Sequence, residues 1–127
     1  MKYTRSNKKR LIADCEKLKV RLGMGNMHVS YQFAKKDGYS LADSVMYAWG
    51  WKSRITFYDY FFESDEALQL HTILHEFVHV MMMPYDSQVE FITDAMPKKN
   101  QKAAKHNIRT SREITVDRLA ATLKELL

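Results

Sequence analysis

The sequence L-H-E-F-V-H-V at residues 74–80 places two histidines four positions apart, with an acid directly after the first. Side chains four residues apart lie on one face of an α-helix, so His75 and His79 can reach the same ion. Neutral imidazoles are common zinc ligands, and a neighbouring carboxylate can accept a proton from zinc-bound water. The stretch therefore predicts a helix that carries a zinc-binding pair, with Glu76 beside it as a general base.

The helix around this stretch is predicted to be buried. Ser64 can cap its start, apolar residues recur on nearly every side of it, and Pro84 is expected to end it. Burying His75, Glu76 and His79 in such a helix is costly unless each side chain finds a partner. A bound metal ion would be one such partner.

Helical and strand patterns alternate along the rest of the chain. Helical patterns cover residues 6–22, 64–83, 86–96 and 110–127. Strand patterns cover residues 27–34, 44–49 and 54–62, with a turn at 35–38 and a polar loop at 97–107. We therefore expect an α+β fold with a small antiparallel sheet of about three strands, in a single domain over residues 1–127.

Charge is unevenly distributed. Residues 1–22 hold eight basic and two acidic side chains, and residues 97–112 hold six basic and none acidic. Both stretches are interpreted as solvated faces, with contact to nucleic acid or another polyanion as the alternative. No apolar run approaches the ~20 residues of a membrane-spanning helix. The single Cys15 excludes an intrachain disulfide and, without a secretory signal, favours a cytoplasmic location.

Catalytic zinc usually has three protein ligands, so a third must come from the downstream chain. One longer form of the motif continues with a glycine and a third histidine, but Met82 and Tyr85 occupy those positions. That form is therefore excluded. The remaining candidates are Asp86, Glu90, His106 and Glu113.

Glu113 is the preferred third ligand because Asp117 follows it by four residues on the same helical face. A carboxylate in that position can accept the second ring N–H of a metal-bound histidine and fix the orientation of the ring. A capping box formed with Thr110 is the competing explanation for Glu113, but it leaves Asp117 unexplained.

These residues resemble a known group. The pattern H-E-x-x-H with a later E-x-x-x-D looks like the gluzincins, the thermolysin-like branch of the zinc metallopeptidases. Residues 112–123 are similar to the E-x-x-x-(D/N)-R-(F/L)-A-A-x-L stretch of the ImmA/IrrE-type metallopeptidases, which are small intracellular proteins. The resemblance covers residues 55–127. It implies a minimal zincin-like domain in which an N-terminal helix and a small sheet precede the active-site helix, and a C-terminal helix carries the third ligand.

The resemblance also implies a mechanism. Zn²⁺ would be held by His75, His79 and Glu113, with Glu76 as the catalytic base in the hydrolysis of a protein or peptide. The substrate would pair as an extra strand with the edge of the Ile55–Phe62 strand. The candidate donors to the oxyanion are Tyr58, Tyr85 and His106.

Two other functions are compatible with the same residues. The chain could be a regulatory binding module that keeps the zincin fold and contacts a protein or nucleic acid through its basic edges. The metal site could instead be structural, with a fourth protein ligand such as His71 or His106.

Overall fold

The computed structural model describes residues 2–35, 38–47 and 52–127, which form an α+β fold of four helices and a three-stranded sheet. The helices are α1 Arg5–Arg21, α2 Asp59–Glu63, α3 Glu66–Asp94 and α4 Lys98–Leu126. The strands are β1 His28–Ala34, β2 Ala42–Met46 and β3 Lys52–Tyr58. The predicted α+β class is confirmed. The predicted turn at 35–38 and the strand end at 48–49 lie partly outside the described residues.

The sheet is mixed, with strand order β1-β3-β2. β1 runs parallel to β3, so that Val29 aligns with Ser53, and β2 runs antiparallel to β3, so that Ser44 aligns with Ile55. The prediction of an antiparallel sheet was therefore wrong for one of the two pairings. β3 is the central strand, so the prediction that Ile55–Phe62 offers a free edge was also wrong. That strand ends at Tyr58, and the next residues form the short helix α2.

The first half of α3 packs into the main hydrophobic core. Leu74, Phe77 and Val80 of this helix are almost fully buried, together with Ile55 and Phe57 of β3. The helix α1 also packs against this core. Its start is capped by Thr4, whose Oγ1 accepts a hydrogen bond from the backbone N–H of Asn7 at 3.2 Å. α3 is capped by Asp65 rather than Ser64.

The second half of α3 continues beyond the core and pairs with α4 as a helical hairpin. Pro84 lies inside α3 and does not end it, so the two helices predicted on either side of it are one. A proline in a helix removes one backbone hydrogen bond, but the helix continues on both sides of Pro84 despite this loss. Asp86 and Asp94 form ion pairs with Arg112 and Lys105 of α4, which connect the two helices of the hairpin.

α4 begins at Lys98, twelve residues before the predicted start at Thr110, and the predicted loop at 97–107 is helical except for its first residue, the N-cap Pro97. The lysines, alanines and glutamine of this stretch are good helix formers, although the stretch as a whole is polar. Glu113 therefore lies in the middle of a helix, and the capping box suggested for it with Thr110 is excluded. In the part of the chain that is described, no helix is long and apolar enough to cross a membrane.

Candidate metal centre

α3 presents His75 and His79 on one face and buries Glu76 directly beside them. Both imidazoles are mostly buried, with 19% and 16% of their side-chain surface exposed. Their Nε2 atoms lie 3.1 Å apart. The four-residue spacing of the two histidines on a continuous helix accounts for this approach.

Glu113 reaches both histidines from α4. One carboxylate oxygen lies 3.2 Å from Nε2 of His79, and the other lies 3.4 Å from Nε2 of His75. Side chains of three residues that can donate electron pairs to a metal therefore converge from two helices, and we call His75, His79 and Glu113 the ligand cluster. The structure brings together the three residues that the sequence singled out as ligands.

Asp117 lies one turn further along α4, on the opposite side of the His75 ring. Its Oδ1 lies 2.7 Å from Nδ1 of His75 and 3.4 Å from Nε2 of His71. When Nδ1 of His75 donates its proton to this carboxylate, Nε2 is left with a free electron pair directed at the ligand cluster. His71 contacts Asp117 rather than Glu113, so it lies behind His75 and away from the other ligand atoms.

The separations within the ligand cluster suit zinc. Zn–N and Zn–O bonds of ~2.0–2.1 Å in a tetrahedron place neighbouring ligand atoms about 3.3–3.4 Å apart. The two Nε2 atoms are 3.1 Å apart, and each lies 3.2 or 3.4 Å from a different oxygen of the Glu113 carboxylate, so the three residues approach one another at about this spacing. Two imidazole nitrogens and a carboxylate are also a ligand set that favours zinc over calcium or magnesium.

The protonation of the site follows from its burial. Burial raises the pKa of Glu76 above its ordinary value, although a hydrogen bond from Ser44 and the nearby His75 act in the opposite direction. Burial also lowers the pKa of His79, which favours the neutral imidazole that can bind a metal.

The pKa of Asp117 has the opposite balance. Its slight burial alone would raise the pKa, but hydrogen bonds to His75 and His71 outweigh that effect and leave the pKa below its ordinary value. The carboxylate is therefore ionised at neutral pH and able to accept the His75 N–H.

A cavity of about 600 Å³ opens onto the ligand cluster. Its floor includes His75, Glu76 and His79, and the strand β2 forms one side along its whole length, Ala42–Met46. β2 is an edge strand that pairs only with β3 among the described residues. The size is in the range of small-molecule and peptide sites.

Of the three predicted oxyanion donors, Tyr85 and His106 do not line the cavity, whereas Tyr58 contacts Asp43, which does. Tyr85 is 67% exposed and lines a groove on another side of the α3–α4 hairpin. Tyr58 donates its hydroxyl hydrogen bond to Asp43, which raises the pKa of Tyr58 to about 12. His106 is exposed in the first half of α4 and is not among the residues that line the cavity.

Two arginines that the sequence analysis did not select contribute to the cavity. Arg112 is half-buried and pairs with Asp86 at 3.4 Å, and Arg109 lies one turn before Glu113 on the same helical face. The spacing of Arg109 and Glu113 would have indicated this position, had residues 97–107 been recognised as helical. Ser44 could not have been found in this way, because it belongs to a strand whose position depends on the tertiary fold.

The basic stretch 97–112 forms the first half of α4. Two of its six basic side chains, Lys105 and Arg112, are paired with acids of α3. The contact with nucleic acid or another polyanion that was suggested for the stretches 1–22 and 97–112 stays a prediction.

Comparisons of this chain with known protein families, with curated proteins and with solved structures gave no match. The case for a function is therefore made from the side chains of the site.

Proposed function

We propose that this chain is a zinc-dependent metallopeptidase of the gluzincin type, with a minimal zincin-like fold. The observation that carries the proposal is the convergence of His75, His79 and Glu113 within 3.4 Å of one another, next to the buried Glu76. Two helices supply these groups, and Asp117 orients one of the rings. A hydrogen bond between the two histidines alone would account for their contact, but not for a carboxylate that bridges both Nε2 atoms.

Glu76 is the proposed general base. It lines the cavity beside the ligand cluster, and its raised pKa brings it closer to neutrality, where proton transfer in both directions is efficient. It would accept a proton from the attacking water and pass that proton to the leaving amine. A zinc ion held by His75, His79 and Glu113 would supply Lewis-acid chemistry there, because zinc polarises a carbonyl group and makes water more acidic.

β2 is the proposed binding edge for an extended peptide. Its backbone forms one side of the cavity, and the opposite edge of the sheet, β1, is not part of the cavity lining. A substrate that pairs with β2 would place a peptide bond near the ligand cluster while its side chains point alternately toward and away from α3.

Arg109 and Arg112 are the proposed cationic groups that face the substrate. Because Asp86 already pairs with Arg112, Arg109 is the better candidate to bind a substrate carbonyl or carboxylate. Arg109 is thereby added to Tyr58, Tyr85 and His106 as a candidate donor to the oxyanion.

Metal content tests the ligand cluster. We expect the untagged protein to bind one zinc per chain by elemental analysis, and the variants His75→Ala and His79→Ala to lose it. Glu76→Gln should keep its zinc, because Glu76 is not a ligand and the amide oxygen can still accept the Ser44 hydrogen bond. A folded wild-type protein that takes up no zinc when zinc is supplied would overturn the proposal.

Peptidase activity tests the chemistry. We expect the zinc-loaded protein to cleave fluorescein-labelled casein, and a chelator or the substitution Glu76→Gln to abolish cleavage. Glu125→Gln is the matched control, because Glu125 is exposed near the end of α4 and remote from the cavity. Cleavage that is equal in Glu76→Gln and Glu125→Gln would exclude Glu76 as the base.

A further inference from the structure

The outer face of the distal half of α3 is apolar and exposed. Helical spacing places seven exposed residues on it, six of them apolar with Gln88 at the centre, and we call them the apolar stripe: Met81, Pro84, Tyr85, Gln88, Phe91, Ile92 and the C-cap Ala95. Phe91, Tyr85 and Ile92 expose 74%, 67% and 65% of their surface. Contiguous exposed apolar surface of this kind marks an interaction site in soluble proteins.

The stripe is not required to hold the hairpin together. The opposite face of α3 meets α4 through the ion pairs Asp86–Arg112 and Asp94–Lys105 and through the buried Thr93. This arrangement reverses the usual pattern of an amphipathic helix, whose apolar face is turned inward. The apolar side of this half of α3 is therefore available to a partner.

We propose that the apolar stripe is the interface of a homodimer in which α3 of two copies pack antiparallel about a two-fold axis near Gln88. The stripe is close to symmetric about this residue. Tyr85 and Phe91 lie three positions before and after it, so a two-fold axis there brings Tyr85 of one copy to the level of Phe91 of the other. Met81 and Ala95, a large and a small residue, are matched in the same way.

Charge favours a second copy over other partners. None of the seven stripe residues is charged, so two stripes meet without repulsion between like charges. α3 contains no lysine or arginine, and the acidic residues of this half, Asp86, Glu90 and Asp94, lie on the side turned toward α4. A nucleic acid or an anionic membrane surface would be bound by basic residues, which this helix lacks.

The exposed area predicts a dimer of moderate strength. A large apolar side chain offers about 150–250 Å², so Met81, Tyr85, Phe91 and Ile92 expose roughly 500 Å² per copy and roughly 1,000 Å² in a pair. That area is at the lower limit for specific interfaces. We therefore expect a dimer that forms and dissociates with protein concentration, independently of any metal at the ligand cluster.

Sedimentation equilibrium tests the interface. We expect the wild-type protein to change from monomer to dimer as its concentration rises from the low micromolar range to several hundred micromolar. Ile92→Glu should raise the dissociation constant of the dimer at least tenfold. Leu126→Glu is the matched control, because Leu126 is 77% exposed but lies near the end of α4, away from the stripe. This variant should dimerise like the wild-type protein. Circular dichroism checks that both variants remain folded. Wild type that stays monomeric, or equal dimerisation of the two variants, would overturn the proposal.

A cross-link tests the position of the axis without weakening the interface. Gln88→Cys should give covalent dimers with a short bifunctional maleimide, because the two copies of residue 88 face each other. Ser6→Cys, an exposed position on α1, should not. The native Cys15 does not interfere, because it is fully buried and its burial raises the pKa of the thiol. Cross-linking that is as efficient at residue 6 as at residue 88 would contradict the proposed axis.

Discussion

Two carboxylates on α4 have different contacts with the same imidazole. Glu113 lies 3.4 Å from Nε2 of His75, and Asp117 lies 2.7 Å from Nδ1 of the same ring. The ring is thereby held from both sides, and Asp117 selects the tautomer whose free electron pair faces Glu113 and His79. This contact would fix the direction of a proposed ligand without occupying a coordination position.

We expect Asp117→Asn to weaken zinc binding about 10–100-fold. The amide can still accept the His75 N–H, but it lacks the negative charge that makes the imidazole a better ligand. Competition with a chromogenic chelator measures the zinc affinity. Asp14→Asn, an exposed position on α1, is the matched control. Equal affinity in the two variants would show that the Asp117 contact does not affect the metal.

The candidate ligands could be selected from the sequence because local spacing brings them together. His75 and His79 need only one turn of helix, and Glu113 and Asp117 need one turn of another. Ser44 and Arg109 could not be selected, because their places at the cavity depend on the strand order and on the true start of α4.

At the scale of elements, α3 and α4 are longer than the sequence pattern indicated. Pro84 was interpreted as the end of a helix, and the lysine-rich stretch was interpreted as a loop. Both interpretations follow from the local sequence. Each helix is continued by contacts with the other, including the ion pair between Asp94 and Lys105 at 2.8 Å. Pairing between distant segments therefore overrides the local signal at Pro84, whereas the lysine-rich stretch of α4 already has good helix propensity and was assigned to a loop because of its polarity.

The strand order could not be predicted either, because it also depends on contacts between distant segments. β1 and β3 pair in parallel, so the segment between them must cross over and add β2 on the far side of β3. Alternation of apolar and polar residues predicts that a strand exists, but not which strand becomes its neighbour.

Pro84→Ala tests how much the proline costs α3. The substitution restores a backbone N–H within the helix at an exposed position, so we expect it to raise the stability by up to about 3 kcal/mol. Denaturant unfolding measures the change. Pro97→Ala is the matched control, because Pro97 is the N-cap of α4 and lies outside the helical hydrogen bonds, so no comparable gain is expected there. A loss of stability in Pro84→Ala would mean that the proline is needed for the path of the hairpin.

At the scale of the whole molecule, the ligand cluster lies where the hairpin leaves the core. Val116 and Ala120 of α4 are fully buried, whereas the residues of α4 before Val116 are exposed or half-buried. A metal bound to His75, His79 and Glu113 would tie the two helices together at this boundary. Because the unfolded chain cannot gather these ligands, zinc binding would add to the stability of the fold.

We therefore expect zinc to raise the melting temperature and chelation to lower it. Free zinc at about 100 times its dissociation constant contributes about 2.7 kcal/mol, which is roughly 10 °C for a domain of this size. Scanning calorimetry of the chelated and zinc-loaded protein measures the shift. His79→Ala should show almost none, since it lacks one of the three ligands. Calcium and magnesium should also have little effect, because two of the three ligands are imidazoles. A zinc-induced shift of the same size in His79→Ala would place the stabilising ion at another site and remove the metal from the boundary between core and hairpin.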